Sequence, residues 1–151
     1  MQSGWRDGRA GLRVAKWSAV AAFWKWTLVK VAPSYRAWSR VAIVRSDALG
    51  DNILTLPLAG ALRMLLPHVE VVWICRPYAR PVVAKSKAVH SIRVWEEASM
   101  DAEAEEALFA GVDAVVFAFP EPRLLAAAAR AGVQVRVCLL YTSDAADEVL
   151  G

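Results

Sequence analysis

The sequence predicts an α/β fold in which helices cover both faces of a parallel sheet. Short, β-branched apolar segments alternate along the chain with amphipathic segments, as in folds built from β–α–β units. The first of these segments, VAIV at residues 41–44, is apolar throughout, which is typical of a strand buried on both faces. The 151 residues suffice for one domain, and the 57% hydrophobic content excludes a disordered chain.

Each element follows from its local pattern. Apolar residues at three- and four-residue spacings predict a helix at about residues 52–66, which ends before Pro67. Segments that stop at glycines predict helices at residues 100–111 and 121–132, and a short helix is expected within residues 76–86. Strands are predicted at residues 41–44, 69–75, 91–96, 112–119 and 133–140. This alternation gives a Rossmann-like parallel sheet.

The net charge of +3 is unevenly distributed along the chain. Residues 1–40 contain eight Lys or Arg against one acid, Asp7, together with five of the seven tryptophans. A helix is predicted at residues 11–32, and its mixture of Trp and Lys suits the anionic headgroup region of a membrane. Two alternatives stay open for this arm: a helix that packs on the domain, or an upstream extension that is not translated. No recognition module accompanies the charge, so nucleic acid is not expected as a partner.

Several functional classes are disfavoured by the sequence. Lysines interrupt the longest apolar segment, residues 14–31, so no segment matches a membrane-spanning helix of about eighteen uncharged apolar residues. Cys75 and Cys138 lack the spacing of metal ligands, so no metal site or disulfide framework is predicted and a reducing cytosol is expected. The first β–α turn contains neither GxGxxG nor a Walker A motif, which argues against a dehydrogenase or a nucleoside triphosphatase.

A polar turn, RSDALGD, follows the first predicted strand. Ligands of open parallel sheets bind beyond the carboxyl ends of the strands, so this turn is the candidate site. Gly50 is expected to let the backbone turn tightly and approach a ligand. Asp51 is expected at or near the N-cap of the following helix, where the helix dipole favours its ionised form. From the residues alone, Asp51 is explained as a cap without chemistry, Asp47 as a turn former and Arg45 as their ion-pair partner.

The segment VAIVRSDALGDNILTLPLAGALRMLLPHVEVVWIC resembles the opening of glycosyltransferase family 9, the ADP-heptose:lipopolysaccharide heptosyltransferases. The resemblance rests on an apolar strand, a basic residue, a polar turn with Gly-Asp, a helix containing Leu, Thr and Pro, and a strand rich in Val and Trp. It is densest over residues 45–67 and continues more loosely to residue 137. The turn FAFPEP, residues 117–122, departs from the family, in which many members have a more polar sequence.

This resemblance implies the N-terminal half of a glycosyltransferase-B fold, in which two Rossmann-like domains face each other across a cleft. The N-terminal domain would bind the acceptor, and the C-terminal domain would bind the nucleotide-sugar. By resemblance, Asp51 is the general base that takes a proton from the acceptor hydroxyl in an inverting transfer that needs no metal. The residues assigned to acceptor binding are Arg45, Ser46, Asp47, Gly50 and Asn52.

The implied function is transfer of a heptose-type sugar from an ADP-sugar to a lipopolysaccharide core or related surface glycan. The partners would be that nucleotide-sugar and a lipid-linked acceptor at the inner face of the cytoplasmic membrane, without a further cofactor. Arg76, Arg80, Lys85 and Lys87 would either meet acceptor phosphates or form a solvated basic loop. The alternative is a non-catalytic nucleotide- or ligand-binding α/β domain with a membrane-associating N-terminal helix.

The last residues break the pattern of the domain. The string CLLYTSDAADE, residues 138–148, resembles the translated frame of a transposon-based sequencing-library adapter. We therefore expect a non-native tail at residues 138–151, after an arm at residues 1–40 and a truncated acceptor-side domain at residues 41–137. The donor-binding domain would follow residue 137, so the chain by itself is expected to be inactive.

Overall fold

The computed structural model describes residues 35–138. Within these residues, a single sheet of five parallel strands has the order β3-β2-β1-β4-β5. The strands are β1 (Arg40–Arg45), β2 (Glu70–Cys75), β3 (Ser91–Val94), β4 (Ala114–Phe117) and β5 (Val135–Cys138). The helices are α1 (Leu49–Leu65), α2 (Arg80–Val83), α3 (Ala102–Ala107) and α4 (Pro122–Arg130), with 3-10 helices at Tyr35–Ala37 and Pro77–Ala79.

Helices pack on both faces of the sheet, which confirms the predicted α/β, Rossmann-like class. Trp73 of β2 contacts Asn52 of α1 on one face. Successive side chains of a strand point to opposite faces, so the neighbouring residues of β2 face the other way. There Val72 joins a buried cluster with Phe109 and with Leu124 of α4. The residues of β1 between 41 and 44 are at most 1% exposed, as their uniformly apolar pattern predicts.

The helix bounds differ from the prediction mainly at α1 and α3. Helix α1 begins three residues earlier than expected, at Leu49, so Pro57 lies at its ninth position rather than near its start. A proline at that depth removes one backbone hydrogen bond from the helix. Helix α3 ends at Ala107, because the next N–H groups bond three rather than four residues back, as from Leu108 to Glu105 at 3.2 Å.

Two glycines end the helical segments, as the sequence predicts. Gly111 closes the turn after α3 with φ of 69°, and Gly132 follows the C-cap of α4 with φ of 76°. The backbone N–H of Gly132 donates to the carbonyl of Ala129 at 3.1 Å. Left-handed backbone of this kind is accessible to glycine at little cost, so both positions stop a helix and redirect the chain into a strand.

Residues 38–138 lie in one compact unit. Cys138 is the last residue of β5 and stands opposite Phe117 of β4, so this strand extends one residue into the predicted tail. The predicted helix at residues 11–32 and the rest of the predicted tail lie outside the described residues. Within residues 35–138, no helix combines the length and the apolar character needed to cross a membrane.

Candidate functional site

The order of the strands marks one crevice in the sheet. After β1 the chain passes outward to β2 and β3, then returns to β4 on the other side of β1. The carboxyl ends of β1 and β4 therefore form the topological switch point, where open α/β sheets bind their ligands. Arg45 is the last residue of β1, so the polar turn at residues 45–51 begins at this crevice.

Arg45 spans the crevice with its guanidinium group. It donates a hydrogen bond to the carbonyl of Ala118, just after β4, and lies 5.9 Å from the ring centroid of Phe119. Its Nε lies 2.6 Å from Oδ1 of Asp47, and its Nη2 lies 3.4 Å from Oδ1 of Asp51. The pairing of Arg45 with both acids is therefore present, and one cation orients two carboxylates toward the switch point.

The two carboxylates occupy different environments. The side chain of Asp47 is 19% exposed, whereas that of Asp51 is 43% exposed. Burial raises the pKa of Asp47; the Arg45 guanidinium opposes this rise, and the Asp51 carboxylate adds to it. Asp47 is thus held in the wall of the site, while Asp51 is the carboxylate that an incoming hydroxyl group can reach.

Asp51 lies near the N-cap, as expected, but not at it. The N-cap is Ala48, which makes no side-chain capping bond, and Asp51 is the third residue of α1. A carboxylate in the first turn interacts favourably with the partial positive charge of the helix N-terminus. The interpretation of Asp51 as the capping residue itself is therefore wrong, because the helix begins two residues before it.

Gly50 does not form the tight turn that was predicted for it. It is a regular helical residue, and its φ is not positive. A Cβ atom built on Gly50 would meet no atom within 4 Å among the contacts that the structure describes. The prediction of a tight turn is wrong, but open space does lie in front of this backbone, so the approach of a ligand is sterically allowed.

Asn52 does not contact solvent, which contradicts its predicted role in acceptor binding. It is completely buried. Its Nδ2 donates to the carbonyls of Asp47 and Ala48, at 3.2 Å and 3.1 Å. Its Oδ1 accepts a hydrogen bond from Nε1 of Trp73 at 3.1 Å. Asn52 therefore holds the turn in place from inside, and no ligand reaches it.

Ser46 is also an internal residue of the turn. It is 3% exposed, and within residues 35–138 its hydroxyl has no hydrogen-bond partner. Its backbone carbonyl accepts a hydrogen bond from Nε of Arg76 at 2.8 Å. The geometry therefore gives Ser46 a part in positioning Arg76, whereas direct acceptor contact through its side chain is not seen.

A groove beside this turn was not foreseen from the sequence. This β2–β3 groove has a volume of about 480 Å³, lies at the carboxyl ends of β2 and β3, and is lined by Arg76, Pro77, Tyr78, Trp95, Glu96, Glu97 and Ala98. The hydroxyl of Tyr78 donates to the carbonyl of Asp47, which joins the groove to the turn. In the sequence, an aromatic residue stands two residues after an arginine directly after a strand, in the string RPY.

The four basic residues after β2 do not gather around one site. Arg76 lines the β2–β3 groove, whereas Arg80, Lys85 and Lys87 are exposed and are not among its lining residues. Of the two predicted alternatives, the solvated basic loop therefore fits three of these four residues. Within the part of the chain that the structure describes, no three His, Cys, Asp or Glu residues are grouped as metal ligands would be.

Comparisons with known proteins give a likeness in fold. No protein-family model matches this sequence, and no curated protein matches it. Among solved structures, the chain is similar to a glycosyl transferase family 9 protein from Veillonella parvula DSM 2008, with 18% sequence identity and a TM-score of 0.57. The match covers 65% of this chain but only 31% of that protein. This chain therefore shares its α/β fold with part of a family 9 glycosyl transferase.

Proposed function

We propose that this chain supplies the acceptor side of an inverting glycosyltransferase, with Asp51 as the general base. One observation carries the proposal: a 43% exposed carboxylate stands at the topological switch point, oriented by Arg45 at 3.4 Å. The open space in front of Gly50 leaves room for a ligand beside it. The fold shared with a family 9 glycosyl transferase and the sequence resemblance over residues 45–67 support the same reaction class.

The chemistry follows from the placement of the two charged groups. In the proposed reaction, Asp51 accepts the proton of an acceptor hydroxyl while that oxygen attacks the anomeric carbon of the donor. The bond from that carbon to the nucleotide diphosphate breaks at the same time, and attack from the opposite side inverts the configuration. Arg45 fixes the orientation of the carboxylate before the acceptor arrives, which lowers the entropic cost of the step.

We also propose the donor, the acceptor and the location of the reaction. The donor is an ADP-heptose-type sugar, and the acceptor is a lipopolysaccharide core or related lipid-linked glycan. The transfer takes place at the inner face of the cytoplasmic membrane, where residues 1–40 associate with anionic lipid. In this proposal a donor-binding domain completes the active site, and the acceptor-side domain does not turn over by itself.

The test is kinetic and uses protein expressed from the complete reading frame. Asp51→Asn is expected to lower kcat by about 10²- to 10⁴-fold, the usual contribution of a general base, while the KM for acceptor changes little. Glu70→Gln is the matched control. Glu70 also pairs with an arginine, Arg40 at 2.9 Å, but both residues lie at the amino ends of their strands, away from the candidate site. Unchanged turnover in Asp51→Asn, with only a change in stability, would instead support a non-catalytic binding domain.

The membrane association has its own test. The protein with and without residues 1–37, which precede the compact unit, is mixed with vesicles of neutral lipid and with vesicles containing anionic lipid, and flotation is measured. Binding to the anionic vesicles is expected only when residues 1–37 are present. Equal flotation of both proteins would remove the membrane from the proposal.

A further inference from the structure

The floor of the β2–β3 groove is built before any ligand arrives. Trp95 is completely buried, and its Nε1 donates to Oε1 of Glu105 at 3.0 Å. The guanidinium of Arg76 lies 4.9 Å from the ring centroid of Trp95, and that of Arg123 lies 6.0 Å from it. Arg123 is in turn 2.6 Å from Oε1 of Glu105. These linked contacts hold the aromatic floor and both cations in one arrangement.

The cation in the lining is already engaged by protein groups. Arg76 donates from Nε to the carbonyl of Ser46 and from Nη2 to Oε2 of Glu97, each at 2.8 Å. The positive charge of Arg76 is therefore offset by a carboxylate at hydrogen-bond distance. A phosphate would have to displace Glu97 to gain the paired hydrogen bonds that it prefers from a guanidinium group.

The surroundings of the groove carry an excess of negative charge. Two carboxylates, Glu96 and Glu97, line it with one guanidinium, that of Arg76. The guanidinium of Arg123 lies 3.8 Å from Oε1 of Glu97 and is paired with the carboxylate of Glu105. Glu121 adds a further carboxyl nearby: burial raises its pKa, and the Glu97 carboxylate adds to that rise. Glu96 and Glu97 are exposed and carry like charges that repel a further negative charge, so this groove disfavours an anionic ligand.

We propose that the β2–β3 groove binds a sugar unit of the acceptor that carries hydroxyl groups but neither phosphate nor carboxylate. Oε2 of Glu96 already accepts a hydrogen bond from the hydroxyl of Ser99 at 2.9 Å, and Oε2 of Glu97 accepts one from Arg76 at 2.8 Å. The second oxygen of each carboxylate can accept a hydrogen bond from a hydroxyl or ammonium group. The ring of Tyr78, in a residue that is 50% exposed, offers an apolar face to the C–H groups of a pyranose. The contact from Tyr78 to Asp47 sets this sugar beside the turn that carries Asp51.

This inference rests on the proposed function only in taking the sugar to be part of the acceptor. Its test measures binding without turnover, on the 151-residue chain, by ligand-observed NMR. The probes are glucose, glucosamine and glucose 6-phosphate, which differ by one substituent each. Glucose or glucosamine is expected to bind at least about ten-fold more tightly than glucose 6-phosphate, because of the repulsion by Glu96 and Glu97. The first two probes distinguish a neutral from an ammonium-bearing sugar.

Variants connect the binding to the groove. Tyr78→Ala is expected to weaken glucose binding several-fold, whereas Tyr78→Phe keeps the ring and should retain it. Glu97→Gln, at a side chain 46% exposed, should narrow the difference between glucose and glucose 6-phosphate. The inference would be overturned if the parent chain bound glucose 6-phosphate as tightly as glucose. It would also be overturned if none of the three probes bound. Loss of turnover in Asp51→Asn is measured separately, so the two proposals fail independently.

Discussion

Asn52 and Trp73 are joined by a hydrogen bond of 3.1 Å in the interior of the domain, and both side chains are completely buried. The bond links helix α1 to strand β2. The amide group of Asn52 also donates to the carbonyls of Asp47 and Ala48, which lie in the polar turn. The placement of the exposed carboxylate of Asp51 therefore depends on a contact that no ligand touches.

Replacement of Trp73 by Phe tests how much this contact stabilises the domain. The variant keeps an aromatic ring in the core but leaves Oδ1 of Asn52 without its donor. An unsatisfied buried acceptor costs about 1–3 kcal/mol, and the smaller ring also leaves a cavity in the core, so the free energy of unfolding in urea is expected to fall by at least that amount. Met64→Ala, at a residue of α1 that is 84% exposed, should change it by less than about 0.5 kcal/mol. Equal effects of the two changes would mean that the bond contributes nothing.

A second prediction concerns Arg45 and the carboxyl group of Asp47. The Arg45 guanidinium is the strongest group holding the pKa of Asp47 down against the effect of burial. Arg45→Gln should therefore raise that pKa further, since burial then acts with less opposition. The measurement is a ¹³C NMR titration of the Asp47 carboxyl carbon. Arg45→Lys retains a positive charge and should give a smaller rise, whereas an unchanged pKa in Arg45→Gln would show that the ion pair has no electrostatic effect.

The fold was predictable because its signal is local. A strand buried on both faces must be apolar at every position, and residues 41–44 show that directly in the sequence. The pairing of Arg45 with Asp47 and Asp51 was also within reach, since all three lie within seven residues of each other. Short sequence separation leaves few geometries to consider.

The burial of Asn52 has a signal in the spacing of residues along α1. Asn52 lies seven residues before Ala59, which is two helical turns, so both lie on the buried face of α1. The predicted helix begins at Asn52, at the edge of the polar turn, so its buried face was not predicted to include this residue. The β2–β3 groove had no comparable signal, because Arg76 and Trp95 meet only when β2 and β3 pair in the sheet.

The two cysteines are expected to differ sharply in reactivity. Cys75 is completely buried, and burial raises its pKa to about 11. At pH 8 about one molecule in a thousand would then carry a thiolate there, and thiolate is the reactive form. Cys138 is exposed. Alkylation with iodoacetamide followed by mass spectrometry should label Cys138 quickly and Cys75 only in denaturant; rapid labelling of both in the folded protein would contradict the buried position.

The pH dependence of stability should carry a contribution from Glu121. Burial raises the pKa of its carboxyl group above 4.5, and Glu97 adds to the rise, although Arg123 opposes it. A carboxyl group with a higher pKa in the folded state binds its proton more tightly there. Its stabilising contribution is therefore complete below about pH 4.5 and is lost as the pH rises through the raised value. Glu121→Gln cannot titrate, so its free energy of unfolding should fall less than that of the parent between about pH 4.5 and pH 7 in urea titrations. Gln134→Ala alters an exposed residue without a titratable group, so its free energy of unfolding should change with pH as that of the parent does. If all three proteins changed with pH in parallel, Glu121 would be excluded as a source of the pH dependence.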